Sequence, residues 1–353
     1  MTSGAPDSRT LNTRESAAAD KDRVNMTAPR ASSLQAIQVP VREKLDSVTR
    51  AMANIVASDL PLVGQVSAHL LTMRGKLFRP TLLLLSSETA GEPEDQAVTL
   101  AASLELIHLA TLVHDDAVDH SALRRGMPTV NALFSHQISV IMGDFLYSTA
   151  LTHLVGVGSL EALQALTRAS TEMTLGEMRQ LAVTDPLRFT EREYYDLIRS
   201  KTASLMRTAC ELGALSGARR YRDALGAFGE NLGMAFQITD DLLDYLEKKE
   251  TTGKPSGLDL REHKVTLPLI HALRDMTPAS RKEVERLFES ENATDEQIAA
   301  VVRIVEDSGG FEYAREKGEQ FAELANDALS ELPDTIARQM LTASISYVME
   351  RHS

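Results

Sequence analysis

A single cysteine, Cys210, stands in a chain of 353 residues. That excludes a disulfide framework and a cysteine-based zinc site, and it fits a reducing compartment, with the cytoplasm as the expected location. No stretch of about eighteen uninterrupted apolar residues occurs, so no membrane span is expected. β-branched alternation is nearly absent, which leaves little room for sheet. Positive charge is also in short supply. Lys and Arg number 37 against 50 Asp and Glu, for a net charge of −13. This balance argues against a nucleic-acid partner or electrostatic docking on anionic lipid. No Ser/His/Asp or Cys/His grouping suggests a covalent nucleophile. No repeat of solenoid length is present.

Residues 1–33 are small and polar without hydrophobic periodicity, and they read as a disordered N-terminal segment. They lack the apolar stretch of a secretory signal, and Met26 is an alternative start. Residues 34–353 read as one domain. Apolar residues recur at three- and four-residue spacing over 45–70, 80–90, 96–114, 132–155, 160–182, 191–217, 222–246, 262–274, 280–289, 294–306, 310–331 and 333–350. The expected architecture is an all-α bundle of ten or more helices around a central cavity. The segment 96–114 is apolar around most of its circumference, which belongs in a protein's centre rather than on its surface.

Two acidic clusters interrupt these segments. Asp115, Asp116 and Asp119 end the first apolar run, and Asp240, Asp241 and Asp244 end the second, 125 residues later (240 − 115). An i, i+4 spacing sets the outer members of each trio on one helical face. Three carboxylates on an apolar helix repel one another at low dielectric unless cations neutralise them. All-oxygen clusters suit hard ions such as Mg²⁺, which keeps waters and takes up substrate phosphates. One such cluster alone could be a solvated helix end; two with identical spacing point to diphosphate chemistry. A greasy interior behind a charged mouth implies a ligand with an anionic head and a hydrocarbon tail. Cations flank both clusters: Lys76 and Arg79 in GKLFRP, Arg124 and Arg125 in LRRGMPT, Lys201 beside Thr202 in SKTASL, and Lys254 and Lys264 in GKPSGLDLREHK. Such groups hold phosphate oxygens, Arg through its fork and Lys as a point charge.

In these motifs the chain resembles the trans-isoprenyl diphosphate synthases, the polyprenyl synthetase family. The resemblance runs from about Leu71 to Leu269: GKLFRP, the first aspartate motif followed by LRRGMPT, the KT pair, FQITDDLLD, then GKPSGLDLREHKVTLP, all in family order. It implies the isoprenoid-synthase bundle and a Mg²⁺-dependent, head-to-tail condensation of isopentenyl diphosphate with an allylic diphosphate such as farnesyl or geranylgeranyl. It further implies that the six aspartates hold three Mg²⁺ on the allylic diphosphate. Arg124, Lys201 and Lys254 contact that diphosphate, with Thr202, Gln237 and Lys264 assisting. Lys76, Arg79, His108 and Arg125 grip isopentenyl diphosphate. Homodimerisation is implied as well. One departure is Leu77, where the family often carries another Arg.

In such enzymes the product grows along the first aspartate helix towards its N-terminus. Short-chain farnesyl synthases carry bulky aromatics four or five residues before the motif; here those positions are Thr111 and Ala110, with Ile107 beyond. A helix over 97–114 is about 27 Å long, deep enough for several isoprene units. A product longer than geranylgeranyl is expected, of quinone-side-chain length, with Phe145 as a candidate floor. The competing expectations are a geranylgeranyl synthase, a class I terpene cyclase, or a non-catalytic subunit of a heteromeric synthase. The DDLLD motif and GKLFRP disfavour the cyclase, and two intact aspartate motifs disfavour the silent subunit.

Overall fold

The computed structural model describes residues 1–2, 33–73, 75–91, 93–246 and 257–350. The compact unit is Ala31–Ser353. The sequence reading of 1–33 as a tail therefore falls almost wholly outside the described residues, as does Lys254.

Helices make up most of the described unit. In chain order they are α1 (Leu34–Gln38), α2 (Arg42–Ile55), α3 (Pro61–Thr72), α4 (Phe78–Glu88), α5 (Gln96–Val118), α6 (Val130–Leu133) and α7 (His136–Gly156). There follow α8 (Leu160–Leu181), α9 (Glu191–Ile198), α10 (Ser204–Leu215), α11 (Arg222–Leu246), α12 (Leu258–Arg261) and α13 (Leu267–Arg274). The series ends with α14 (Pro278–Phe288), α15 (Asp295–Asp307), α16 (Gly310–Ala328) and α17 (Ile336–Met349). The periodic stretch 45–70 is two helices rather than one, because Pro61 starts a new helix and its missing N–H is harmless only in a first turn.

Helix α4 shows why some of these segments lie at the centre. Leu82, Leu83, Leu84 and Leu85 are all fully buried, so four successive side chains point in all directions and each meets protein. Helix α5 is similar: it packs on α7, α2 and α4, and its one exposed residue is Val118, at the C-terminal end. Among the described residues α5 and α7 are long and apolar enough to cross a membrane; α5 is mostly buried, whereas α7 leaves Val140, Ile141 and Val155 exposed.

Close approach of α10 to its neighbours depends on glycine. A Cβ at Gly213 would lie 2.2 Å from the Leu83 carbonyl oxygen, and one at Gly229 would lie 2.6 Å from the Met206 carbonyl oxygen. Backbone cannot step aside as a flexible side chain can. Gly213→Ala is therefore expected to cost about 1–3 kcal/mol, read as a lowered midpoint in thermal or urea unfolding; an unchanged midpoint would show that α4 and α10 can separate freely.

The core forms two clusters. One joins α2, α4, α5, α7, α8, α10 and the first half of α11, and the other joins the second half of α11 to α9, α13, α15 and α16. Thus α11 spans both. Between α9 and α10 lies a π-helical turn, Arg199–Ala203, within what the periodicity reads as one helix over 191–217. Such turns are rare and frequent at functional sites; this one carries Lys201 and Thr202.

Candidate active site

Both acidic clusters end their helices. Asp115 and Asp116 lie in the last turn of α5 with Asp119 as its C-cap, and Asp240, Asp241 and Asp244 lie in the last two turns of α11. A helix C-terminus carries partial negative charge, so six carboxylates there are placed against the local field. Burial adds to the conflict. The Asp115 carboxyl is pushed up to about 6, first by burial and then by Glu177, although Lys201 and Arg124 pull the other way. The Asp241 carboxyl lies well above its ordinary range through burial and the neighbouring Asp259.

Arg124 approaches the first cluster from a hairpin, Leu123–Arg124 paired with Met127–Pro128. Arg125 and Gly126 form its two-residue turn with φ of 53° and 75°, the left-handed pair a tight hairpin needs. Arg124 Nε donates to Asp116 Oδ1 at 2.8 Å. Arg125 is directed elsewhere, its Nη1 donating to the Met73 carbonyl at 3.0 Å. Its guanidinium lies against Gly75, where a Cβ would come within 2.7 Å of Nη1.

The second cluster is tied to the π turn. Thr202 Oγ1 donates to Gln237 Oε1, Gln237 Nε2 to Asp241 Oδ1, and the buried Tyr194 hydroxyl to Asp241 Oδ2, each at 2.7 Å. Asp244 accepts the backbone N–H groups of Leu258 and Asp259 at 3.1 and 3.0 Å, so it caps α12 as well as facing the cluster. Asp259 joins it, its carboxyl pushed up to about 7 by burial and by Asp244.

A cleft of about 490 Å³ opens onto both clusters, with Asp119, Lys201, Thr202, Gln237, Asp241 and Lys264 among its walls. Lys201 Nζ lies 2.6 Å from Glu177, and Lys264 Nζ lies 2.6 Å from Glu262. Among the described residues no three His, Cys, Asp or Glu side chains converge tightly enough to enclose a metal unaided.

A second cationic group gathers where α4 meets α5. Arg79 Nη1 bonds His108 Nε2 at 3.0 Å, so His108 accepts there and its ring is neutral. Burial, then Arg79 and Arg125, drive its pKa well below the usual imidazole range. Lys76 is exposed just before α4, next to Leu77, whose φ of 52° turns the chain into the helix. Ile107 and Ala110 are fully buried one to two turns before the first cluster, while Thr111 and Phe145 are half-buried beside the same core.

Sequence reasoning overlooked Tyr194, Asp259 and the buried Glu105. Asp259 lies within the GLDLREHK motif itself, so that motif was the available signal. Tyr194 is 47 residues from its partner, and no local pattern marks it.

A family model described as polyprenyl synthetase matches residues 60–305. Octaprenyl diphosphate synthase of Escherichia coli is 35% identical over 321 residues, covering 90% of this chain and 99% of its own. Among solved structures, a decaprenyl diphosphate synthase from Rhodobacter capsulatus superposes with a TM-score of 0.85 at 35% identity, over 90% of this chain and 99% of its own. A polyprenyl synthase from Caulobacter crescentus, solved with calcium and isoprenyl diphosphate, also gives 0.85, at 33% identity over 91% and 98%. With two acidic helix ends on one cleft and a likeness that runs almost end to end, the chain belongs to the polyprenyl synthetase family.

Proposed function

We propose that the protein condenses isopentenyl diphosphate with an allylic diphosphate, head to tail, to give a trans-polyprenyl diphosphate longer than geranylgeranyl. The observation that carries this reading is the shared cleft, with carboxylates of both clusters and two lysines on its walls. The named synthases of octaprenyl and decaprenyl chains support the product length. Residues 34–353 form the synthetase domain. A homodimer is proposed because α7 exposes an apolar side, and a cytoplasmic setting because the one thiol, Cys210, is buried and unpaired.

Buried, mutually repelling carboxylates at two helix C-termini fit a hard divalent cation, and the calcium in the Caulobacter relative supports one. Mg²⁺, three per site, is the proposed ion, with Asp115, Asp116, Asp119, Asp240, Asp241 and Asp244 as its holders. When bound it supplies Lewis-acid stabilisation of the leaving diphosphate. Arg124, Lys201, Lys254 and Lys264 add cationic contacts to the departing oxygens, a preorganised electrostatic contribution. Thr202 and Gln237 orient Asp241. Lys76, Arg79, His108 and Arg125 hold isopentenyl diphosphate so that its double bond faces the allylic C1. As that carbon loses diphosphate, the double bond attacks it, and a proton leaves the new chain to the departing diphosphate. The apolar wall behind the cleft excludes water from the cation.

The test is incubation of the purified chain with labelled isopentenyl diphosphate and either a farnesyl or a geranylgeranyl primer, then chromatography of the dephosphorylated products. Products beyond geranylgeranyl are expected; termination at geranylgeranyl refutes the length, a cyclic product formed without isopentenyl diphosphate favours a cyclase, and no elongation refutes the activity. Arg79→Ala is expected to lower kcat/KM for isopentenyl diphosphate roughly 10- to 100-fold, the worth of one or two charged hydrogen bonds. KM for the allylic primer should stay within about twofold; a loss shared equally by both substrates would contradict the assignment.

A further inference from the structure

Tyr194 touches neither substrate in the proposed condensation, yet its placement is specific. It is one of the largest fully enclosed side chains in the protein, at 2% exposure, and its hydroxyl ends 2.7 Å from Asp241 Oδ2. The other oxygen of that carboxylate is taken by Gln237, itself held by Thr202. The two donors therefore fix the carboxylate plane from both sides. A buried tyrosine hydroxyl needs a partner, and a backbone carbonyl or a water could have served. Here it spends its proton on the one buried carboxylate of the second cluster that lines the cleft.

The covalent path explains the consequence. Tyr194 and Thr202 lie eight residues apart on one continuous rod, α9 running into the π turn, with Lys201 between them. The rod touches α11 through Tyr194 to Asp241 and through Thr202 to Gln237. Fixing both contacts fixes the register of the rod against α11, and with it the point on the cleft wall from which Lys201 projects. Lost extension of one extra residue in the π turn would shift either contact.

We infer that Tyr194 is a positioning residue, whose hydroxyl locks the Asp241 carboxylate in the orientation that receives a divalent cation together with the allylic diphosphate. This rests on the reading of the cleft given above. Groups that orient a ligating carboxylate without touching the ion typically contribute 10- to 100-fold in affinity.

Tyr194→Phe removes one oxygen and keeps the ring, so packing in the second core cluster is retained. The probe is Mg²⁺ with a thiolo analogue of farnesyl diphosphate that cannot ionise, titrated calorimetrically into the full-length protein. The variant is expected to bind this pair about 10-fold more weakly or worse, with its ligand-free thermal midpoint within a few degrees of wild type. KM for isopentenyl diphosphate is expected to stay within about twofold, because Arg79 and His108 lie on other helices. Tyr195→Phe is the control: this neighbouring hydroxyl makes no hydrogen bond to Asp241, and affinity should not change. Equal affinity in Tyr194→Phe and wild type overturns the inference while leaving the activity standing. Failure of the wild-type chain to bind the pair at all overturns the reading of the cleft itself. A loss accompanied by an equal rise in KM for isopentenyl diphosphate shows general loosening and also overturns the positioning role.

Discussion

Asp115→Ala is expected to lower turnover by about 10²- to 10³-fold and to leave helix content unchanged. The reason lies in where the carboxylate stands. It occupies the negative end of α5, half-buried, beside Glu177 and Asp119, and these surroundings lift its pKa from an ordinary 3.8 to about 6. A folded-state pKa above the unfolded one means that the folded chain holds the proton more tightly. Ionising Asp115 therefore costs folding stability as pH climbs from about 4 to about 6, and the cost persists at pH 8. Partial solvent access reduces it to something on the order of 1–2 kcal/mol. Removing the group should thus leave the thermal midpoint in EDTA at pH 8 equal to wild type or slightly higher, with no gain at pH 4. Steady-state turnover and two thermal scans check this. Near-normal turnover would remove Asp115 from the machinery, and a large drop in midpoint would make it a structural residue instead.

The same physics explains what the sequence made legible. A trio of aspartates at the end of an apolar helix has no stabilising purpose, so DDAVD and DDLLD stand out without any coordinates. The cations of GKLFRP and LRRGMPT stand out because they flank those trios. The all-α architecture follows from three- and four-residue periodicity over nearly the whole of residues 34–353. What remained hidden depends on contacts across the chain. The π turn at Arg199–Ala203 differs from an α turn by one residue of hydrogen-bond register, and hydrophobic periodicity in 191–217 is unbroken across it. The cap that Asp244 provides for α12 spans 14 and 15 residues. Asp259 and Tyr194 enter the site only because α11 turns its last two turns towards α9 and α12. Hence the charged groups were visible and the partners that orient them were not. His108 illustrates the boundary. Its helical phase relative to Asp115 was readable, but its neutral state depends on Arg79, 29 residues earlier in the chain.

Product length tests a different property of the same helix. Ala110→Phe is expected to convert a long-chain synthase into one whose main product is geranylgeranyl or shorter, the largest qualitative change proposed for any single substitution here. Ala110 sits five residues before Asp115, on the stretch of α5 that also carries Ile107 and His108, and it is 1% exposed. A product anchored by its diphosphate at the C-terminal end of α5 and growing towards the N-terminus must pass this stretch after the first few isoprene units, at about 1.5 Å of helix per residue. Alanine there presents one methyl group; phenylalanine would project a ring towards any chain threading past. Because Ala110 is already enclosed, the ring must also displace core neighbours, at about 1–3 kcal/mol. Two readings are therefore needed. A shortened product with kcat for the first condensation near wild type and a modestly lowered thermal midpoint supports the path along α5. An unaltered product spectrum in a folded, active variant would show that the growing chain descends elsewhere, and would move the search for the floor away from both Ala110 and Phe145.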